Sequence, residues 1–266
     1  ALLFTGCANN QSSSTDATGG STESTTTAAT SSGASQTGST SAYSPTVIDS
    51  SDMFTNRDKE VGYYESTSVK LTLSGDSITS SSDSVTISGS TATITVEGTY
   101  ILSGALDDGM IIVNADDTAK IQLVLDNVTV SSSTSAAIYV CSADKVFITL
   151  ASGSENTLSN GGEYVAIDDN NIDSVIFSKS NLTLNGNGTL DINAEAGHGI
   201  VSKDDLVIAS GTYNINAASH GLSGKDSIRI ADGTFKIVTG KDALHADNED
   251  DEEKGFIYIA GGSFNL

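Results

Sequence analysis

The sequence predicts an all-β fold, a single-stranded parallel β-helix built from coils of about 22 residues, and three observations support that prediction. The stretch "HGIVSKDDLVIASGTYNINAAS" (198–219) is followed directly by "HGLSGKDSIRIADGTFKIVTGK" (220–241), and the second repeats the first position by position. The composition has one proline, 26 glycines and no tryptophan, with abundant Ser, Thr, Asn and Asp. That mixture suits short strands joined by tight turns and leaves little room for long helices. Apolar and small polar residues alternate over runs of a few positions from Val69 onward, the period of a strand with one buried face.

The first 75 residues read as three segments. "ALLFTGCANN" places an apolar run and Gly6 directly before Cys7, so residues 1–7 read as the truncated end of a signal peptide with a lipobox, Cys7 being the lipidation site. Residues 8–42 are almost wholly Ser, Thr, Gly, Ala, Gln and Asn, too poor in bulky apolar side chains to offset ordering entropy, and are expected to form a disordered tether. Residues 43–75 are expected to be an N-terminal cap segment, in which "SDMFTNRDKEVGYYES" packs Met53, Phe54, Tyr63 and Tyr64 over one end of the domain. With Cys7 lipidated, Cys141 has no partner within the chain and reads as an ordinary small side chain.

The domain proper is expected over 76–266. "SVTISGSTATITVEGTYIL", "GMIIVN", "KIQLVLDNVTV", "AAIYV" and "KVFITLASG" each stop at Gly, Asp, Asn or Ser, as strands do. Alignment of the repeats stacks Ile176, Ile200, Leu222 and Leu244 in one column. Leu182, Leu206, Ile228 and Ile257 form a second, Leu184, Ile208, Ile230 and Ile259 a third, and Leu190, Tyr213, Phe235 and Phe264 a fourth. One such unit cannot bury its apolar face alone, whereas stacked copies bury a continuous ladder. Leucine-rich repeats have a similar period but need a Leu and Asn frame that no unit here offers, and antiparallel sandwiches or propellers predict hairpins and longer periods.

The formal net charge is −22, from 12 basic and 34 acidic residues, which disfavours nucleic acid and anionic membrane surfaces and favours cations. In stacked coils equivalent residues lie roughly 4.8 Å apart, so Asp204, Asp226 and Asn248 form an oxygen-bearing column. Lys179, Lys203, Lys225 and Asp247 form the column beside it. Two carboxylates at that spacing repel by roughly 3 kcal/mol at an effective dielectric near 20. Either the neighbouring lysines neutralise them as a solvated charge ladder, or a hard cation such as Ca2+ sits between them. The last unit, "DALHADNEDDEEKG", tips the expectation toward Ca2+, with Asp204, Asp226, Asp242, Asp247, Asn248 and Asp250 as its ligands. His198 and His220 stack in one column with Asp242, and their expected role is turn geometry and hydrogen bonding, because oxygen-rich surroundings argue against zinc. "HGLSGKDS" is no phosphate loop, since Ser219 and Asp226 occupy the wrong positions.

The blocks "SDMFTNRDKEVGYYES", "GTYILSGALDDGMIIV", "AAIYVCSADKVFITLASGSENTLSNGG", "AIDDNNIDSVIFSKSNLTLNG", "GHGIVSKDDLVIASGTYNI" and "HGLSGKDSIRIADGTF" resemble the bacterial carbohydrate-binding-domain family from about Asp52 to Leu266. The resemblance implies export, a right-handed helix like that of pectate lyases, bound calcium, and plant-type polysaccharides such as polygalacturonate and cellulose as ligands. Ser180 stands where that family often has the Asp of its Lys-Asp step, and the chain ends on "GGSFNL" where relatives commonly continue, so the domain reads as incomplete at its C-terminus.

Three functions follow. The first is a non-catalytic, calcium-dependent carbohydrate-binding lipoprotein, a monomer on the bacterial cell surface anchored to the membrane through Cys7, with Lys203 and Lys225 gripping acidic sugars. The second is a polysaccharide lyase, for which Arg57 and Arg229 are the only arginines. The third is a structural spacer or adhesin in which calcium only stiffens the coils.

Overall fold

The structure, a computed structural model, describes residues 50–266. Cys7, the tether over 8–42 and the first residues of the 43–75 segment lie outside the described residues. The described residues form an all-β fold of mainly parallel strands, whose only helical elements are the 3-10 turns Ser50–Asp52 and Arg57–Lys59.

The strands form two sheets. In the eight-stranded sheet, Leu244–Ala246, Leu222–Gly224, His198–Ser202, Ser174–Ser178, Ile138–Ser142, Met110–Asn114 and Thr91–Ile94 lie side by side in parallel, and Val85–Ser88 closes the row. The fourteen-stranded sheet divides at the long strand Lys120–Ser132. Its first half pairs with Lys145–Leu150 and its second half with Glu155–Asn160. Asn127 turns the chain there at φ 56, and its side-chain oxygen accepts the Glu155 N–H.

Sequence repeats set the register. Leu182 pairs with Leu206, Leu206 with Ile228, and Ile228 with Ile257, steps of 24, 22 and 29 residues. Each turn therefore delivers the same side chain to the same place one strand further on, and the apolar columns become continuous rows. Leu182, Leu206 and Ile228 are fully buried. Tyr213, Phe235 and Phe264 stack with ring centroids 5.4 and 4.7 Å apart, and burying each such ring stabilises the fold by about 1.5–3 kcal/mol. Glycine makes room for them: a Cβ on Gly211 or Gly233 would lie 2.7 Å from the Tyr213 hydroxyl or 2.9 Å from the Phe235 ring, at φ values of +118° and +139°. In the last rung Ile257 and Ile259 are exposed.

Two features differ from the sequence expectation. The N-terminal rung contains antiparallel hairpins, Val69–Gly75 with Ser77–Ser80 and Val85–Ser88 with Thr91–Ile94. Gly75 and Gly89, at φ 60 and 58, permit the tight reversals in "SGDS" and "SGST". The segment around Met53–Glu60 does not sit over one end but runs as a strap along the outward flank of the first half-sheet. Arg57 stacks on Phe147, Phe54 meets Tyr258, and the Asn185 amide donates to the carbonyls of Asp58 and Glu60. Strand alternation turns Phe147, Thr183, Arg229 and Tyr258 outward, and the strap covers them. Asp58, 1% exposed, accepts hydrogen bonds from Thr55 and Thr183 and pairs with Lys145 at 2.7 Å. Burial pushes its pKa up, but these donors outweigh burial and hold the carboxyl below its ordinary value.

Candidate binding groove and charge ladder

The C-terminal rungs of the eight-stranded sheet carry a groove of about 430 Å3 on their outward face. The strand period puts Ile200, Leu222 and Leu244 inward, and so Val201, Ser223 and His245 outward in the next column. His198 enters as the first residue of its strand and His220 from the turn before the next, and Lys203 and Lys225 enter from the turns just after. All four, with His245, Asp247 and Asp250, line the groove.

The two lysines differ. Lys203 lies 5.3 Å from the centre of the Phe177 ring and has no carboxylate partner among the described residues. Lys225 holds Asp250 at 2.9 Å, and both are exposed, so that pair exchanges readily with solvent or ligand.

Of the six expected calcium ligands, the structure brings three together. Asp204 and Asp226 face each other, and the Asn248 amide donates to Asp226 at 2.7 Å. Burial raises the Asp204 pKa, and the hydrogen bond shared with Asp226 raises it further. In Asp226 burial acts the same way but is outweighed by Lys254 at 2.6 Å and by the Asp204 hydrogen bond, so this carboxyl sits below its ordinary value. The pair is thus asymmetric, Asp204 being the weaker acid and Asp226 the stronger. The donor set is all oxygen and doubly acidic, which fits a hard cation, although the Asn248 oxygen is turned away to the N–H groups of Asp250 and Asp251.

The other three lie apart. Asp250 is bound to Lys225, and Asp247 lines the groove. Asp242 precedes its strand and falls against His220 and His245 instead, because its column is that of the histidines. Lys254 was not anticipated as the partner of Asp226; its position across the acidic loop depends on the turn at Gly255, which no repeat predicts.

The imidazoles form a stack, His198 to His220 at 5.0 Å and His220 to His245 at 4.1 Å between ring centres. His198 Nδ1 accepts the His220 N–H, and His220 Nδ1 accepts the Asp242 N–H at 3.2 Å. Those bonds leave the protons on Nε2. Burial, reinforced for His220 by repulsion from His245, lowers the pKa of both His198 and His220. His245 was missed by the column alignment, although its place between Leu244 and Ala246 marks it as outward-facing.

Arg229 is half-buried, pairs with Asp205 and donates to the Met53 carbonyl, so it serves the strap. Cys141 is a free thiol, partly buried beside an outward cluster of Tyr139, Phe177 and Val201.

A family model described as "Carbohydrate-binding domain-containing protein" matches residues 88–266. A protein of that description from Acetivibrio thermocellus is 41% identical over 175 residues, covering 65% of this chain and 61% of the relative's length. A solved structure described as the polysaccharide lyase-like protein from C. thermocellum, gadolinium derivative, superposes with a TM-score of 0.71 at 34% identity, over 73% of this chain and 80% of that one.

Proposed function

The chain belongs to the carbohydrate-binding domain-containing protein family, and from that premise we propose that it is a calcium-dependent, non-catalytic binder of acidic polysaccharide such as polygalacturonate, held at the bacterial cell surface through Cys7. The observation that carries this reading is the groove on the C-terminal rungs, where Lys203 and Lys225 flank an open, polar channel. A polymer with a carboxylate on every sugar meets two cations about one strand spacing apart there, while hydroxyl-bearing faces find Ser223. We read the stacked rungs as coils of a right-handed parallel β-helix, which keeps these groups in line with an extended chain.

Calcium would be held by Asp204 and Asp226, with water and backbone oxygens completing its shell. It would supply positive charge at the edge of the groove and tie together the two rungs that carry Asp204 and Asp226. To load the site, Lys254 must swing away from Asp226.

Incubation with polygalacturonate in calcium tests the reading. The expected outcome is co-sedimentation without any rise in ultraviolet absorbance from unsaturated product. A rise would establish a lyase instead, and absence of both binding and product would favour a structural spacer.

A further inference from the structure

We propose a second, distinct metal site, in which His220, Asp242 and His245 bind a first-row transition dication of the zinc type. These three residues bring their ligand atoms within 4.8 Å of one another. Asp242 Oδ2 lies 3.3 Å from His220 Nδ1 and 3.3 Å from His245 Nδ1. In a tetrahedral zinc site with bonds of about 2.0–2.1 Å, neighbouring donor atoms are about 3.3 Å apart. Two edges of such a tetrahedron are therefore already formed.

The hydrogen bonding adds an independent reason. Because His220 Nδ1 accepts the Asp242 N–H, it carries no proton of its own, and the Asp242 carboxylate oxygen 3.3 Å away is a second acceptor with no proton between the two. Two acceptors at 3.3 Å repel, and a cation between them reverses the sign. Two imidazole nitrogens and one carboxylate select zinc, copper or nickel over calcium, which takes oxygen. The site is thus chemically separate from the Asp204 and Asp226 pair. Loading exchanges the His220 hydrogen bond for a metal bond. The stacked rings, 15° apart in plane, also hold their in-plane lone pairs in two nearly parallel planes, so the partly exposed His245 must tilt to converge on the ion. With three protein ligands the fourth position stays open, beside a groove that His220 and His245 themselves line.

The test is titration of Zn2+ into the chelator-stripped full chain by calorimetry, in the presence of excess Ca2+ to saturate oxygen sites. The expected result is one zinc per chain, weakened about tenfold or more by either His245→Ala or Asp242→Asn and unchanged in Asp204→Asn. Copper loaded in place of zinc should show nitrogen hyperfine splitting in its electron paramagnetic resonance spectrum, lost in part in His245→Ala. Circular dichroism of each variant distinguishes lost binding from lost fold, and His245→Gln, at a partly exposed position, offers a second variant that removes the ligand with little change in shape. Absence of zinc binding, displacement of zinc by calcium, or equal zinc affinity in folded His245→Ala and the parent would each overturn the proposal.

Discussion

Replacing Asp58 by alanine should detach the strap at Met53–Glu60 and cost about 3–5 kcal/mol, the range for breaking one side of a buried ion pair. The carboxylate is 1% exposed and accepts from the Thr55 N–H and hydroxyl at 2.8 Å, the Thr183 hydroxyl at 2.6 Å and Lys145 at 2.7 Å. Alanine leaves Lys145, which is largely buried, without its counter-charge, and Thr183 without its acceptor. If the strap peels away locally the loss is capped by its docking free energy, so the lower end of the range is expected for global unfolding and faster amide exchange for residues 53–60. Urea denaturation combined with hydrogen exchange reads both quantities. A cycle with Lys145→Met should show strong coupling, the double variant losing less than the sum of the single changes. The same pair predicts a pH dependence. The folded pKa of Asp58 lies below its ordinary value of 3.8, so its contribution is complete above that pH and disappears as pH falls through the lower folded value. A loss under about 1 kcal/mol in Asp58→Ala, with unchanged exchange in the strap, would refute the reasoning.

Gly186→Ala should destabilise by more than about 1 kcal/mol, because a Cβ at φ +111° would lie 2.1 Å from the Leu150 carbonyl oxygen; thermal unfolding measures it, and an unchanged Tm would contradict the geometry. Calcium binding should weaken as pH falls through the titration of Asp204, whose pKa is raised by burial and by Asp226. Calorimetric titration over that pH range measures the loss, and a pH dependence left intact in Asp204→Asn would remove Asp204 from the ligand set. Lys254→Met should strengthen calcium binding by removing the ammonium that competes for Asp226, as read by the chelator concentration needed to lower Tm.

The apolar columns were legible in the sequence because every repeat carries them. Ile176, Ile200 and Leu222, and Leu190, Tyr213 and Phe235, are partners in the sheets as the alignment places them. Period two within each strand and the recurrence of the same apolar positions leave one register that buries them all. The hairpins at Gly75 and Gly89 were less legible, since they occur once, before any repeat begins. Column reasoning also brought Asp204, Asp226 and Asn248 together, but it could not follow the acidic loop: there the insertion between Ala246 and Phe256 breaks the period. Side chains in that loop choose partners by reach rather than by register, which is how Lys254 meets Asp226 and Asp250 meets Lys225. The histidine and Asp242 cluster required a diagonal contact between two columns, a relation that one-dimensional alignment does not display.

The most direct test of the account compares the parent chain with a double Lys203→Ala, Lys225→Ala variant for affinity to polygalacturonate and to a neutral glucan, in calcium, across a range of salt. Neither lysine is buried in the core, so the variant should keep its fold. The account predicts that it loses about tenfold or more in polygalacturonate affinity, that the parent's affinity falls with salt, and that any affinity for the neutral glucan is unchanged. Equal retention of polygalacturonate by the folded variant and the parent would contradict the assignment of the groove as the binding site.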